Sequence, residues 1–403
     1  MKAVRRRLVI VGLACIGGTP ALAQGRAAAI TGVVFVDRNA NGRQDPGEGG
    51  LAGVAVSDQR DVSVTDARGR YALPPFSGTG PGALFVSVPD GYRATPRSWI
   101  AIAAGGAPVE SHFALVADVT PRSFTFVHAS DTHISEQSVA RTRMLKALVD
   151  SLKPRFVLLS GDLVRDALRV NEAEARRYYE LFVAEIAKFS VPVWSVPGNH
   201  ELFGIERHKS LVSERHPLYG KGMYRSYLGP TYYSFTAGGI HFLGLDSVDY
   251  DDLFYYGHVD STQLAWMQRD LAAVPAGTPV VTFNHIPLAG SANFTEGYDE
   301  SSVAPSLIRI KGVNQYRHIV SNTAAVLALL TRQHEFSLAL GGHYHTWEHI
   351  VYDVDGKPRR FFQTAAVVGP SSLAGKPMRS GVTLYRVTNA QVDDGEFIPL
   401  DRP

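Results

Sequence analysis

From residue 124 onward the chain alternates short apolar runs with amphipathic segments, and five of the apolar runs end in polar residues that serve no hydrophobic face. Residues 124–130 lead into Asp131-Thr132-His133, residues 156–160 into Gly161-Asp162, and residues 191–196 into Pro197-Gly198-Asn199-His200-Glu201. Residues 280–283 lead into Asn284-His285, and residues 336–340 into Gly341-Gly342-His343-Tyr344-His345. Runs of this length, rich in Val, Phe and Leu and bounded by Gly, Pro, Asp or Asn, read as strands. Between them, Val139–Leu152 has apolar residues at Met144, Leu145, Leu148, Val149 and Leu152, and residues 171–189, 261–274 and 322–333 are further helical candidates. Such alternation predicts an α/β architecture of layered sheet and helix. Open sheets of that class build their sites at the carboxyl ends of strands, where these polar residues fall.

One Asp or His at a strand end is ordinarily a cap or a turn former. Here five exits collect Asp131, Asp162, Asn199 and five His, and the only cysteine, Cys15, lies near the N-terminus. Carboxylate, amide and imidazole donors together suit Mn, Fe or Zn better than a purely oxygen-seeking Ca or Mg. Two such ions about 3.5 Å apart could clamp the attacking and leaving oxygens of an in-line phosphoryl displacement.

Asp131-x-His133, Gly161-Asp162, Gly198-Asn199-His200-Glu201, His285 and Gly342-His343-x-His345, in this order, resemble the calcineurin-like metallophosphoesterase superfamily over most of residues 124–350. The resemblance implies a fold of two central mixed β-sheets flanked by helices. It implies a first metal held by Asp131, His133, Asp162 and His345 and a second by Asp162, Asn199, His285 and His343, both of them divalent transition ions, with Asp162 bridging. A hydroxide shared by the two ions would be the nucleophile. His200 is then left over beside a ligand, in position to protonate the leaving oxygen or steady charge on the phosphoryl group. Purple acid phosphatases carry a Tyr three residues after the bridging Asp; here that residue is Arg165, which argues against a ferric centre. Glu201 reads as a supporting carboxylate. Asp246 reads as structural, satisfying loop amides, and His128, His241 and His349 as ordinary core or surface histidines.

The N-terminal third has a different grammar. Residues 1–23 have a charged start (Lys2, Arg5, Arg6, Arg7), an apolar core and the small-residue site Ala21-Leu22-Ala23, the pattern of a cleaved secretory signal. An exported protein, periplasmic or secreted, is the expectation; acylation at Cys15 is the weaker alternative, since Gly12-Leu13-Ala14 is a poor approach to a lipidated cysteine. No run is long and apolar enough for a transmembrane helix. Cleavage would leave 36 basic against 38 acidic residues, a formal charge of −2, so nothing in the charge balance points to nucleic acid as a partner.

Five short β-rich runs follow, Ile30–Val36, 54–57, 62–65, Arg70–Leu73 and 83–88, broken by Gly, Pro and Asp; they predict a small all-β sandwich. Between the first two, Asp37, Asn39, Asn41, Asp45 and Glu48 fall at positions one, three, five, nine and twelve of a loop with Gly42 at six, the spacing of a calcium loop. The loop, with Thr65-Asp66-Ala67-Arg68-Gly69-Arg70-Tyr71, resembles the B-type repeats of bacterial surface proteins, prealbumin-like sandwiches that can carry structural calcium. The other reading is a hairpin loop held by its own side-chain hydrogen bonds.

The expected organisation is therefore a signal over 1–23, a β-sandwich over 24–118 and a phosphoesterase domain over 119–403. Strands at 360–368 and 382–387 are expected to complete the second sheet. Substrate choice should lie in residues 202–227, which hold Arg207, His208, Lys209 and Arg225, and in the stretch carrying Asn293, Tyr298, Lys311 and Arg317. A small phosphorylated substrate is implied, with phosphodiester or pyrophosphate bonds preferred and nucleotide-derived compounds in view. A phosphomonoesterase is the nearest alternative. A secreted binding or adhesion protein with a retained phosphoesterase scaffold is the reading from a different class. The sequence carries no signal for an oligomeric state.

Overall fold

A computed structural model describes residues 30–78, 80–103, 109–291, 305–354, 356–373 and 375–400. Residues 1–23, and Asn293 and Tyr298 of the expected substrate loops, lie outside the described residues.

Two sheets form the N-terminal part. One runs Arg70–Leu73, Ile30–Val36, Phe113–Ala117, Tyr92–Thr95, with Val109–Glu110 beside Ile30–Val36; the other runs Val62–Val64, Ala55–Ser57, Gly82–Val86, Trp99–Ile102. Four of these strands, Tyr92–Thr95, Trp99–Ile102, Val109–Glu110 and Phe113–Ala117, were not marked by local pattern. Their partners are distant in sequence, as Val34 opposite Phe113 illustrates. The 37–48 loop closes on itself. Asp37 is buried and accepts the Asn41 and Gly42 N–H groups, Asp45 accepts both the Asn39 and Asn41 amides, and Glu48 accepts the Arg38 and Asp45 N–H groups.

The larger part holds two mixed six-stranded sheets. In the first, Val193–Val196, Val157–Ser160 and Ser123–Ala129 are parallel, and Gly381–Thr388 runs antiparallel to Ser123–Ala129. In the second, Ile240–Leu245, Pro279–Asn284, Glu335–Gly341 and Lys357–Gln363 are parallel, with antiparallel edges Tyr233–Ala237 and Glu348–Val354. The two-residue period of a strand decides the layering. Val127, Ala129, Val157 and Leu159 face outward onto Leu145 and Val149 of helix Val139–Leu152 and Tyr179 and Phe182 of helix Glu172–Ile186. Phe126 and Leu158 face the second sheet. There the rings of Phe126 and Phe156 meet those of Phe235 and Phe242 at 5.3–5.7 Å, and this aromatic layer holds the sheets together.

The C-terminal strands do not both complete the second sheet. Lys357–Gln363 joins it, but Gly381–Thr388 returns to the first sheet, where Tyr385 stacks on Phe126 at 5.1 Å and Val127 pairs with Leu384.

The β-sandwich and the larger part share a core. Phe85 packs edge-on against Tyr233 and Trp266 at 6.4 and 6.3 Å. The Gln59 amide and carbonyl bond with the Tyr232 carbonyl and hydroxyl, the Thr236 N–H donates to the Val88 carbonyl, and the Asp90 carboxylate accepts the Gly238 and Gly239 N–H groups. Phe85→Ala should therefore cost about 3–5 kcal/mol, as for other buried aromatics. In denaturant unfolding followed by far-UV circular dichroism, one cooperative transition should move to lower concentration; a second transition unmoved by the substitution would contradict the shared core.

Candidate dinuclear metal centre

All five strand exits converge. Asp131, Asp162, Asn199 and His285 are buried, and His133, His200, His343 and His345 are half-buried around them. The backbone turns sharply to bring them in. Asp131 (φ 55°), His133 (38°), Asp162 (49°), His343 (76°) and His345 (58°) all occupy the left-handed region, which for such residues costs on the order of 1–3 kcal/mol each and persists where surrounding bonds enforce it. The Asp131 N–H donates to the Gly161 carbonyl, the His133 N–H to the Asp162 carbonyl, and the His343 N–H to Asp131 Oδ2. Glycine is required where these turns meet. A Cβ on Gly198 would stand 2.2 Å from Asp162 Oδ1, and one on Gly161, itself at φ 87°, would stand 2.6 Å from His285 Nδ1.

The donor atoms form two sets joined by one carboxylate. In the first, His345 Nε2 lies 3.0 Å from Asp131 Oδ1 and 3.2 Å from His133 Nε2, and His133 Nε2 lies 3.6 Å from Asp162 Oδ2. In the second, His285 Nε2 lies 3.3 Å from Asp162 Oδ1, 3.1 Å from Asn199 Oδ1 and 3.1 Å from His343 Nδ1. Asp162 thus turns one oxygen to each set. Imidazole nitrogens converging with carboxylate and amide oxygens in this way suit cations, and Asp131, His133 and His345, like Asp162, His285 and His343, are close enough to share one ion.

The electrostatics follow the same geometry. Burial disfavours charge on the His285 ring, but the Asp162 carboxylate outweighs it and raises the pKa to about 9. Burial lowers His133 to about 4 and holds His343 well below the usual imidazole range. Burial alone would raise Asp162; the His285 and His200 imidazoles beside it instead hold it well below the usual carboxylate range.

His200 stands beside the first set, close enough to His133 and Asp162 to share an ion with them. Its Nδ1–H donates to the Arg165 carbonyl at 2.6 Å and its backbone N–H to Asp162 Oδ1, so Nε2 is the free nitrogen, 3.9 Å from Asp162 Oδ2. The ring meets His133 edge to face at 4.5 Å and lines an open cavity of about 310 Å³ with Ser138, Arg165 and Asp166. Glu201 is buried and ties two exits together: Oε1 accepts the Leu163 and Val164 N–H groups and Oε2 that of Gly198. Burial, then the nearby Asp162 charge, push it up to about 8.

Of the remaining sequence candidates, Asp246 has a cationic partner that pattern did not indicate, Lys221 at 2.7 Å, besides the Val248 amide. His128 bonds the Ser160 hydroxyl, His241 pairs with Asp270 and His349 stacks on Phe362, as ordinary histidines. Arg207 is engaged by Glu214 and Asp252 and Lys209 by Glu206. Arg317 is buried over the Tyr255 ring. A further histidine at the site, His318, had no sequence signal; its Nδ1 lies 2.7 Å from His343 Nε2.

The model of the calcineurin-like phosphoesterase family matches residues 124–347. The chain belongs to the calcineurin-like phosphoesterase family. A companion model, the N-terminal region of calcineurin-like phosphoesterases, matches residues 38–118. The phosphoesterase is similar to a dimetal phosphatase from Danio rerio at 15% identity, over 69% of this chain and 99% of that one, with a TM-score of 0.44. It is also similar to GAP50, the anchor in the inner membrane complex of Plasmodium, at 13% identity over 70% and 85% of the two chains, with a TM-score of 0.42. No curated protein matches the chain. The family uses a dinuclear divalent metal centre, and the chain is a metal-dependent phosphoric ester hydrolase.

The three bonds to Glu201 make a prediction. In Glu201→Gln, whichever way the amide is turned, its NH₂ faces at least one of the three backbone N–H groups. At pH 9, where the native carboxylate is ionised, urea unfolding should show a loss of about 1–3 kcal/mol; equal stability would mean that these loops do not depend on the carboxylate.

Proposed function

We propose that this phosphoesterase hydrolyses phosphodiester or pyrophosphate bonds in small, nucleotide-derived substrates, and that it works after export. The observation that carries the reading is the pair of acceptor sets sharing Asp162. Asp131, His133, Asp162 and His345 would hold one divalent transition ion, and Asp162, Asn199, His285 and His343 the other; Mn, Fe and Zn are the ions these donors favour. When bound, such ions polarise phosphoryl oxygens and lower the pKa of water. The chain's own residues do the rest. Asp162 fixes the two sets relative to each other, and Glu201 holds the loops that carry Asp162 and Asn199. His200, with Nδ1 spent on the Arg165 carbonyl, presents Nε2 as the acid for the leaving oxygen. Arg165 lines the same cavity, and an exposed cation there favours a substrate with a second phosphate or a flanking anionic group.

The test is a screen of metal-reconstituted protein against an aryl phosphomonoester, an aryl phosphodiester and nucleotide pyrophosphates. The highest kcat/KM should fall on the diester or pyrophosphate; a monoester optimum would overturn that preference. His200→Ala should keep both metals while the rate falls by roughly 10²–10⁴, and unchanged turnover would remove His200 from the reaction. Asp162→Ala should lose metal and activity together.

Two further readings belong here. Residues 1–23 act as a cleaved signal, so the exported protein should begin at Gln24 on N-terminal sequencing. The 37–48 loop takes a structural calcium through Asp37, Asn39, Asn41, Asp45 and Glu48, supported by the spacing of its oxygens. Calcium added to chelator-treated protein should raise the Tm, and no shift would leave the loop's own hydrogen bonds as its only support.

A further inference from the structure

The second acceptor set makes a demand on His343 that the ligand residues themselves do not meet. His285 spends its Nδ1–H on the Ser160 carbonyl at 2.8 Å, so in the neutral ring that a bound cation requires, the lone pair is at Nε2 and faces Asp162, Asn199 and His343 Nδ1. For a cation to sit among these atoms, His343 Nδ1 must also offer a lone pair. A neutral imidazole has one N–H, so it must then lie on Nε2, and a half-buried N–H needs an acceptor. At 2.7 Å from His343 Nε2 stands Nδ1 of His318.

His318 is held there by backbone. Its segment follows the hairpin of Leu307–Ile310 and Val313–Tyr316 and is tied down on both sides of the histidine. The Arg317 N–H donates to the Ser306 carbonyl, the Val320 N–H to that of Pro287 and the Ser321 N–H to that of Gly257. Pro287 lies two residues beyond His285, so the same stretch of chain that supplies one ligand also anchors the segment that supports another. A Cβ on Gly257 would stand 2.3 Å from the Ile319 carbonyl oxygen, so only glycine lets the segment approach this closely. Arg317 lies over the Tyr255 ring at 4.3 Å, and that ring in turn stands edge-on to both His318 and His343, at 6.5 and 6.1 Å.

We infer that His318 is a positioning residue: its Nδ1 accepts the Nε2–H of His343 and so selects the tautomer whose Nδ1 lone pair completes the second metal site. This rests on the ligand assignment proposed above. Partners of this kind fix ring orientation as well as tautomer, and their loss ordinarily weakens metal binding by roughly 10–100-fold.

The experiment measures zinc dissociation constants by chelator competition for the full chain and three variants. In His318→Phe, which keeps a ring but has no acceptor, one of the two zinc ions should bind roughly 10–100-fold more weakly and the other as in the parent protein. In His318→Asn, whose amide oxygen can replace Nδ1, both affinities should return to within about threefold of the parent, a rescue that a merely space-filling role would not give. His343→Ala should lose the same zinc that His318→Phe weakens. Parental affinities in His318→Phe while His343→Ala loses a zinc would overturn the inference alone; both zinc ions bound tightly in His343→Ala would overturn the ligand assignment and the inference with it. Should His318→Phe not fold, zinc-loaded protein carrying nitrogen-15 histidine still decides the matter. A nitrogen–nitrogen coupling across the His343–His318 hydrogen bond, with the proton on His343 Nε2, is expected, and a proton on His343 Nδ1 would overturn it.

Discussion

One buried carboxylate ties the active centre together. Asp162 presents Oδ1 to the His285 imidazole of one acceptor set and Oδ2 to the His133 imidazole of the other, and Oδ1 also takes the His200 backbone N–H. A buried carboxylate is tolerated only where charge or hydrogen bonds compensate it. Here the compensation comes from the exits of four other strands, so the site's chemistry and its geometry are one problem. The left-handed backbone at Asp131, His133, Asp162, His343 and His345 is local strain accepted so that those exits can meet.

The rest of the fold makes that strain sustainable. The aromatic layer of Phe126, Phe156, Phe235 and Phe242 fixes the two sheets face to face, so exits carried by different sheets arrive at one place. Gly381–Thr388 braces Ser123–Ala129 from the far side, and Glu201 ties the loop after Gly161 to the loop after Val196. The β-sandwich is continuous with this scaffold through Phe85, Trp266 and Tyr232, which gives it a structural stake in the enzyme. Polar groups with one free atom, such as His200 Nε2, are then the ones left for substrate.

What could be read from sequence was what local pattern encodes. Helix Val139–Leu152 and the five strand runs announce themselves through period, and the metal-facing side chains through recurrence at strand ends. Destination is a different matter. The alternating residues of Gly381–Thr388 fit either sheet equally well, and the choice is made by the slot beside Ser123–Ala129 and the Phe126 and Tyr385 rings. Strand Tyr92–Thr95 carries a weak pattern because its ladder partner, Phe113–Ala117, lies well downstream. His318 left no trace because it follows a short polar hairpin strand and not one of the apolar runs, and its position is set by backbone bonds from its neighbours to Ser306, Pro287 and Gly257. Asp246 takes a loop amide, that of Val248, as its position suggested, but its partner Lys221 arrives from a distant part of the chain and had no local signal.

The central claim is that one carboxylate joins two metal sites, and anomalous diffraction from crystals of the manganese-loaded or zinc-loaded protein tests it most directly. Two peaks roughly 3.5–4 Å apart are predicted, one bounded by Asp131, His133 and His345, the other by Asn199, His285 and His343, with an Asp162 oxygen on each. A single ion, or two ions of which only one touches Asp162, would contradict it.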